Sequence, residues 1–320
     1  MNHAIACTLA AVAAAVSFSA AAENFPAKPI RLVVPFAPGG PNDFVARLFS
    51  EKLPSTLGQS IIVDNRGGAG GNIAHAIVAR AAPDGYTLGV FSSTFVVNPS
   101  LFGKNAGYDP VREFTPVLHV ASSPAVIVTH PSLPAKSVKQ LIAASHTMPL
   151  AYASGGIGTV GHLGGEMLKT MARIKMEHVA YKGSGPALID VMANNVPVGF
   201  TAVSTAVPHI KTGRLNAIAV TSLKRIAALP AVATVAESGF PGYDLANFIG
   251  IAAPAGTSPD NVRILHARMS AVIAQDDFRE RMAVQGFETT GGTPDEFRQY
   301  IAKETAKWGP VVLAAGMKPE

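Results

Sequence analysis

Four glycine-rich stretches of this chain each follow a strand-like run, and each has the composition to bind an anion through its main chain. They are Ala37–Asp43, Asn65–Asn72 (NRGGAGGN), Ser154–His162 (SGGIGTVGH) and Gly183–Pro186 (GSGP). Two hydroxyl clusters join them, Ser92-Ser93-Thr94 and Thr201 with Ser204-Thr205. Without Cβ atoms the main chain can approach a ligand closely. Where such a loop opens a helix, the unpaired N–H groups and the positive end of the helix dipole face it together. The chemistry on offer is capture of a phosphate, sulfate or carboxylate.

Signs of catalysis are sparse. The chain has no G-x-S-x-G, H-E-x-x-H or G-K-[ST] motif, and its nine histidines show no metal-ligand spacing. Gly156, Gly158 and Gly161 spell G-x-G-x-x-G, with Glu177 about 20 residues on, as a dinucleotide site would. That acid should close the second strand of the unit, whereas Glu177 is followed by more strand pattern. His162, at a predicted helix start, can donate to a carboxylate or cap its own helix. His178 reads as a core or edge residue of a strand, and Lys182 as either an anion partner or a solvated side chain. Phe36, Phe95, Tyr152 and Phe200 flank the loops as pocket wall or core.

The elements that must position these loops alternate. Strand patterns fall at 30–34, 61–64, 87–91, 125–129, 150–153, 175–179, 198–201 and 217–221; helical patterns fall at 44–57, 73–82, 138–145, 162–172, 186–194 and 205–212. This order predicts an α/β fold with largely parallel sheets. Asp43 occupies the expected N-cap of the first helix. The tail from Pro259 to Gly316 reads as all helix, with Ser258-Pro259-Asp260 and Thr293-Pro294-Asp295-Glu296 as capped starts. The extended run 114–129, broken by Ser122-Ser123-Pro124, can cross from one domain to another, and 248–254 can return. The expected organisation is a discontinuous lobe of 23–120 with 246–320 and an inserted lobe of 121–245.

Residues 1–22 read as a secretory signal peptide, with an apolar run from Ile5 to Phe18 and an A-x-A pattern at Ala20–Ala22. The only cysteine, Cys7, lies within it, so the mature chain has no disulfide, thiolate metal site or cysteine nucleophile. The net charge is +5, and the basic residues are scattered without a run of five or interleaved aromatics. That excludes a recognisable nucleic-acid stripe and suits a small anionic ligand.

Across 25–316 the motifs KPIRLVVPFAPGG, GQSIIVDNR, PDGYTL, Asn98-Pro99, YDPVREFTPV, GTVGHLGGE, HVAYKGSGPAL and LPAVATVAESG resemble the Bug-type solute receptors of tripartite tricarboxylate transporters. The resemblance implies a two-lobed periplasmic binding protein of type II. It also implies a monomer without cofactor, catalytic group or metal, holding an organic carboxylate between lobes joined by two crossing segments. A membrane transporter, or alternatively a sensor kinase, would be its partner. The ligand contacts it implies are Phe36, Ala37, Pro38, Gly39, Gly40, Asp43, Ser92, Thr94, Ser154, Thr159, His162, Gly183, Thr201, Ala202 and Val203. Thr201 stands where the family often has aspartate, which favours a plain or aromatic carboxylate over an amine-bearing one.

Overall fold

The computed structural model describes residues 25–314 and residue 317; the expected signal peptide, 1–22, lies outside them. The strands are β1 (Ile30–Val34), β2 (Ile61–Asn65), β3 (Thr87–Phe91), β4 (Phe114–Thr129), β5 (Ala151–Ser154), β6 (Glu177–Ala180), β7 (Val198–Ala202), β8 (Asn216–Val220), β9 (Ala246–Pro254) and β10 (Glu288–Thr289). The α-helices are α1 (Pro41–Lys52), α2 (Pro54–Leu57), α3 (Asn72–Ala79), α4 (Ser93–Phe102), α5 (Val138–Thr147) and α6 (Val160–Ala172). They continue as α7 (Ser184–Met192), α8 (Val203–Lys211), α9 (Pro259–Ile273), α10 (Asp276–Val284) and α11 (Pro294–Ala314).

The strands form two sheets that share β4. In the first the order is β2-β1-β3-β9-β4-β10; in the second it is β8-β4-β7-β5-β6. The β1/β2, β1/β3, β5/β6 and β5/β7 pairs are parallel. β4 runs antiparallel to β9 from Phe114 to Pro124, then changes partners and pairs β7 and β8 from Ala125 on. The molecule is therefore two-lobed, and the interruption read at Ser122-Ser123-Pro124 is the point where one continuous strand changes sheets.

Each sheet is covered on both faces, as its parallel pairs require. On β1, Ile30, Leu32 and Val34 pack with Phe49, Leu265 and Met269 on one side, while Val33 faces Phe91, Phe95 and Phe297 on the other. The second lobe repeats the arrangement, with Ile127, Tyr152 and Phe200 on one side and Val126, Val128 and Ala153 on the other. Side chains alternating at a period of two make these central strands apolar on both faces.

Some local expectations need correction. Pro54 ends the first predicted helix and starts another, because proline has no N–H to continue the ladder. Helix α4 was hidden by its hydroxyl-rich start and by Pro99 in its interior. The tail is not entirely helical, since Glu288 and Thr289 pair with Ser122 and Ala121.

Candidate functional site

Five helices begin at one cleft between the lobes. The N-cap residues of α1, α4, α6, α7 and α8 are Gly40, Ser92, Thr159, Gly183 and Ala202, and all five line it. Only Thr159 caps its helix with a side chain, accepting from the His162 N–H. At the other four starts the N-cap residue makes no side-chain bond to its helix, and of their first N–H groups that of Ser93 is taken by a side chain from another strand. The cleft encloses about 530 Å³, its open mouth included. Among the described residues, no Asp, Glu, Lys, Arg or His side chain lines it, and no acidic cluster or histidine group is arranged to hold a metal. The wall alternates neutral polar groups with Phe36, Pro41, Pro124, Val160 and Phe200.

Strand-to-helix turns place these helix starts. β1, β3, β5, β6 and β7 all point their carboxyl ends at the cleft, which is where open α/β sheets bind ligands. The crossing strands supply the rest, Ser123 and Pro124 from β4 and Asn247 from β9. The Asn247 Oδ1 accepts the Ser93 N–H at 2.9 Å, so the side-chain NH₂ faces away from that bond and has no partner among the described residues. Ser92 and Ser93 are more than nine-tenths buried, and neither hydroxyl has a partner among the described residues.

On the first lobe a carboxylate holds the loop. Asp43 is not the N-cap: Pro41 opens α1 with its φ preset, and Asp43 is the third helical residue. Its carboxylate accepts the Gly39 N–H at 3.0 Å, Asn65 Nδ2 at 3.1 Å and Arg47 Nε at 2.9 Å. Burial alone would raise its pKa, but the bonds from Arg47, Gly39 and Asn65 outweigh that and hold it below the usual carboxylate value.

On the second lobe two histidines hold the loop. The His162 and His178 rings stack 4.0 Å apart at 7°. His162 Nδ1 accepts the Gly158 N–H at 3.2 Å, and His178 Nε2 lies 2.7 Å from Ser154 Oγ, which itself accepts the Gly156 N–H at 3.2 Å. Burial, with the nearby Lys169 charge, lowers the His162 pKa to about 4. Burial, then the charge of His162, lowers that of His178 to about 3. Both rings are thus neutral at pH 7. Ser154 is fully buried, so its hydrogen bond to His178 is a brace and not a nucleophile–base pair.

The halves touch on both sides of the cleft. The Ala37 N–H donates to the Lys182 carbonyl at 3.1 Å, so Lys182 contributes its main chain here. Opposite, a Cβ on Gly158 would stand 2.5 Å from Asn98 Oδ1, which explains glycine there, at φ +74°.

Of the residues expected at the site, Phe36, Gly40, Ser92, Thr159, Gly183 and Ala202 line the cleft. Ala37, Pro38, Gly39 and Asp43 belong to the first loop without lining it, and Ser154 and His162 stand behind the second. The Thr94 hydroxyl faces the Gly71 turn, and Val203 packs against Gly286. Thr201 alternates with the cleft-lining Phe200 and Ala202, so it points away, and its buried hydroxyl is unpartnered. Asn42, Ser93 and Ser184 also line the cleft; they lie within stretches the sequence marked, but were not among the expected contacts. Asn247 lines it too and carries no local signal.

Comparison with known proteins decides the family. Residues 45–317 match the family described as tripartite tricarboxylate transporter family receptor. The chain belongs to that family. Protein BugT of Bordetella pertussis is 37% identical over 315 residues, covering 97% of this chain and 94% of BugT. Among solved structures, periplasmic binding protein BugD superposes with a TM-score of 0.89 at 34% identity, covering 92% of this chain and all of BugD. An R. palustris protein solved with adipate gives 0.89 at 35% identity, over 93% of this chain and all of that one. MatC from Rhodopseudomonas palustris, solved with bound malate, gives 0.85 at 33%, over 90% of this chain and all of MatC. Members of this family are periplasmic solute-binding receptors and not enzymes. The dinucleotide reading of Gly156-Gly158-Gly161 therefore falls. Gly161 serves packing, since a Cβ there would collide with the Phe200 carbonyl oxygen.

Proposed function

We propose that the protein is exported to the periplasm, captures a small organic carboxylate between its lobes and delivers it to a membrane transporter of the tripartite tricarboxylate type. The observation that carries this reading is the meeting of five helix N-termini at one cleft whose wall, among the described residues, has no charged side chain. A charge-assisted hydrogen bond from an amide to a carboxylate contributes about 1.5–3 kcal/mol. A helix end adds about 0.3–1 kcal/mol. Four such contacts reach micromolar affinity, about 8 kcal/mol, after the costs of association. Neutral donors hold the anion and leave its release easy. The carboxylates in the R. palustris relatives support the same ligand class.

The lobes we propose are 23–120 with 246–320, and 121–245, in keeping with the change of partners along β4. The ligand would touch Phe36, Gly40, Ser92, Thr159, Gly183 and Ala202, with Asp43 and His162 holding their loops from behind. Ligand would favour the closed arrangement of the lobes, which the transporter would read. A thermal-shift screen of a carboxylate library on the mature protein tests this. A rise in melting temperature with one or more acids, recovered unchanged, is expected; no shift with any acid, or consumption of the acid, contradicts it.

A further inference from the structure

We infer, building on the carboxylate reading above, that this receptor selects acids without an amino group and discriminates against α-amino acids of the same skeleton. An ammonium in the cleft would need a counter-charge, and among the described residues none lines it. The only acid in the first turn of any of the five helices is Asp43, whose carboxylate is committed to Gly39, Asn65 and Arg47.

The fixed polarity of the wall points the same way. Asn247 must turn its oxygen to the Ser93 N–H, so the group it has left is a pure donor. The free acceptors on lining side chains are hydroxyl oxygens, as on Ser92 and Ser93, and the amide oxygen of Asn42, whose Nδ2 donates to the Val90 carbonyl at 3.5 Å. Neutral acceptors cannot offset a full positive charge surrounded by five positive helix ends.

Titration calorimetry with matched acids tests the inference: succinate against aspartate, glutarate against glutamate, and adipate against 2-aminoadipate. In every pair that binds, the amino member should be weaker by about 30-fold or more. Ser184→Asp, which places a carboxylate on the wall at the first residue of α7, should narrow that ratio by weakening the plain acid and strengthening the amino acid. An amino acid binding as tightly as its plain partner, or a ratio unmoved in a folded Ser184→Asp protein, overturns the selectivity while leaving carboxylate capture standing. Absence of binding by any acid, amino or plain, overturns carboxylate capture itself, and this inference with it.

Discussion

The two halves of the cleft present the same thing, helix starts, but they are braced by opposite means. The first lobe uses a charge: Asp43 gathers Gly39, Asn65 and Arg47 around one carboxylate. The second uses neutral rings: His162 and His178 stack and hold Gly158 and Ser154. In each, a polar group behind the loop fixes main-chain donors while the wall itself stays uncharged. On the proposed reading the brace sets the geometry, and the helix ends would supply the attraction. Because one brace is anionic and the other is neutral only above its pKa, the halves should fail under different conditions.

The largest contrast is expected between glycines of the two halves. In Gly161→Ala the new methyl meets the Phe200 carbonyl, so α6 must move off β7. Overpacking of this kind costs about 1–3 kcal/mol, and we expect the upper end, because the obstacle is main chain. Calorimetric or chemical unfolding should show this loss, and ligand affinity should fall with it; an unchanged midpoint would refute the close packing of helix on strand.

Asp43→Ala should come next. It leaves the Gly39 N–H without its acceptor and the Asn65 amide with only the Phe36 carbonyl, for about 1–3 kcal/mol of stability. It should also weaken ligand binding by about tenfold through a loosened loop, since tenfold corresponds to about 1.4 kcal/mol. Unaltered affinity in calorimetry would remove Asp43 from the site.

Acid should separate the braces further. The native pKa values of His162 and His178 are about 4 and about 3, below the ordinary 6.5, so the unfolded chain binds protons first as pH falls. Their stabilising effect is complete above pH 6.5 and erodes steadily down to about pH 4. Asp43, with a lowered pKa, keeps its contribution until pH falls below 3.8. Across pH 6.5 to 4 the second lobe's brace therefore weakens while the first holds. His75, near 3, and His119, near 4, are buried neutral as well and His209 is also held below its ordinary value, so His162→Asn with His178→Gln should remove a part, not all, of the pH dependence in that window. Asp43→Asn should remove none of it. Unfolding midpoints measured at half-unit steps of pH check this, and equal slopes in the histidine variant and the parent would count against the neutral brace.

The smallest effect belongs to Gly40→Ala. The nearest atom to its Cβ is 3.9 Å away and its φ is −92°, so the unfolding free energy should stay within about 1 kcal/mol of the parent's. A large loss there would erase the contrast with Gly161.

Much of this site was legible in the sequence because it is local. A strand, a glycine loop and a helix start are neighbours in the chain, so the stretches holding Gly40, Ser92, Thr159 and Gly183 could be read from spacing and turn chemistry, whereas the individual contacts were implied by the family resemblance. The alternation of strand and helix likewise carried the fold class. What escaped needed long-range register. Asn247 reaches Ser93 from a strand 154 residues away. His162 and His178 each follow from local pattern, but their stacking depends on how β5 pairs with β6. Thr201 and Val203 belong to the right turn yet point elsewhere, because a one-residue step along a strand changes the face.

The most direct measurement is a crystal structure of the protein with the tightest-binding acid from the screen. The carboxylate oxygens should lie about 2.7–3.2 Å from amide nitrogens at helix starts of both lobes, with no cationic side chain in contact. An acid bound outside the cleft, or held chiefly by a lysine or arginine, would contradict capture by main-chain amides.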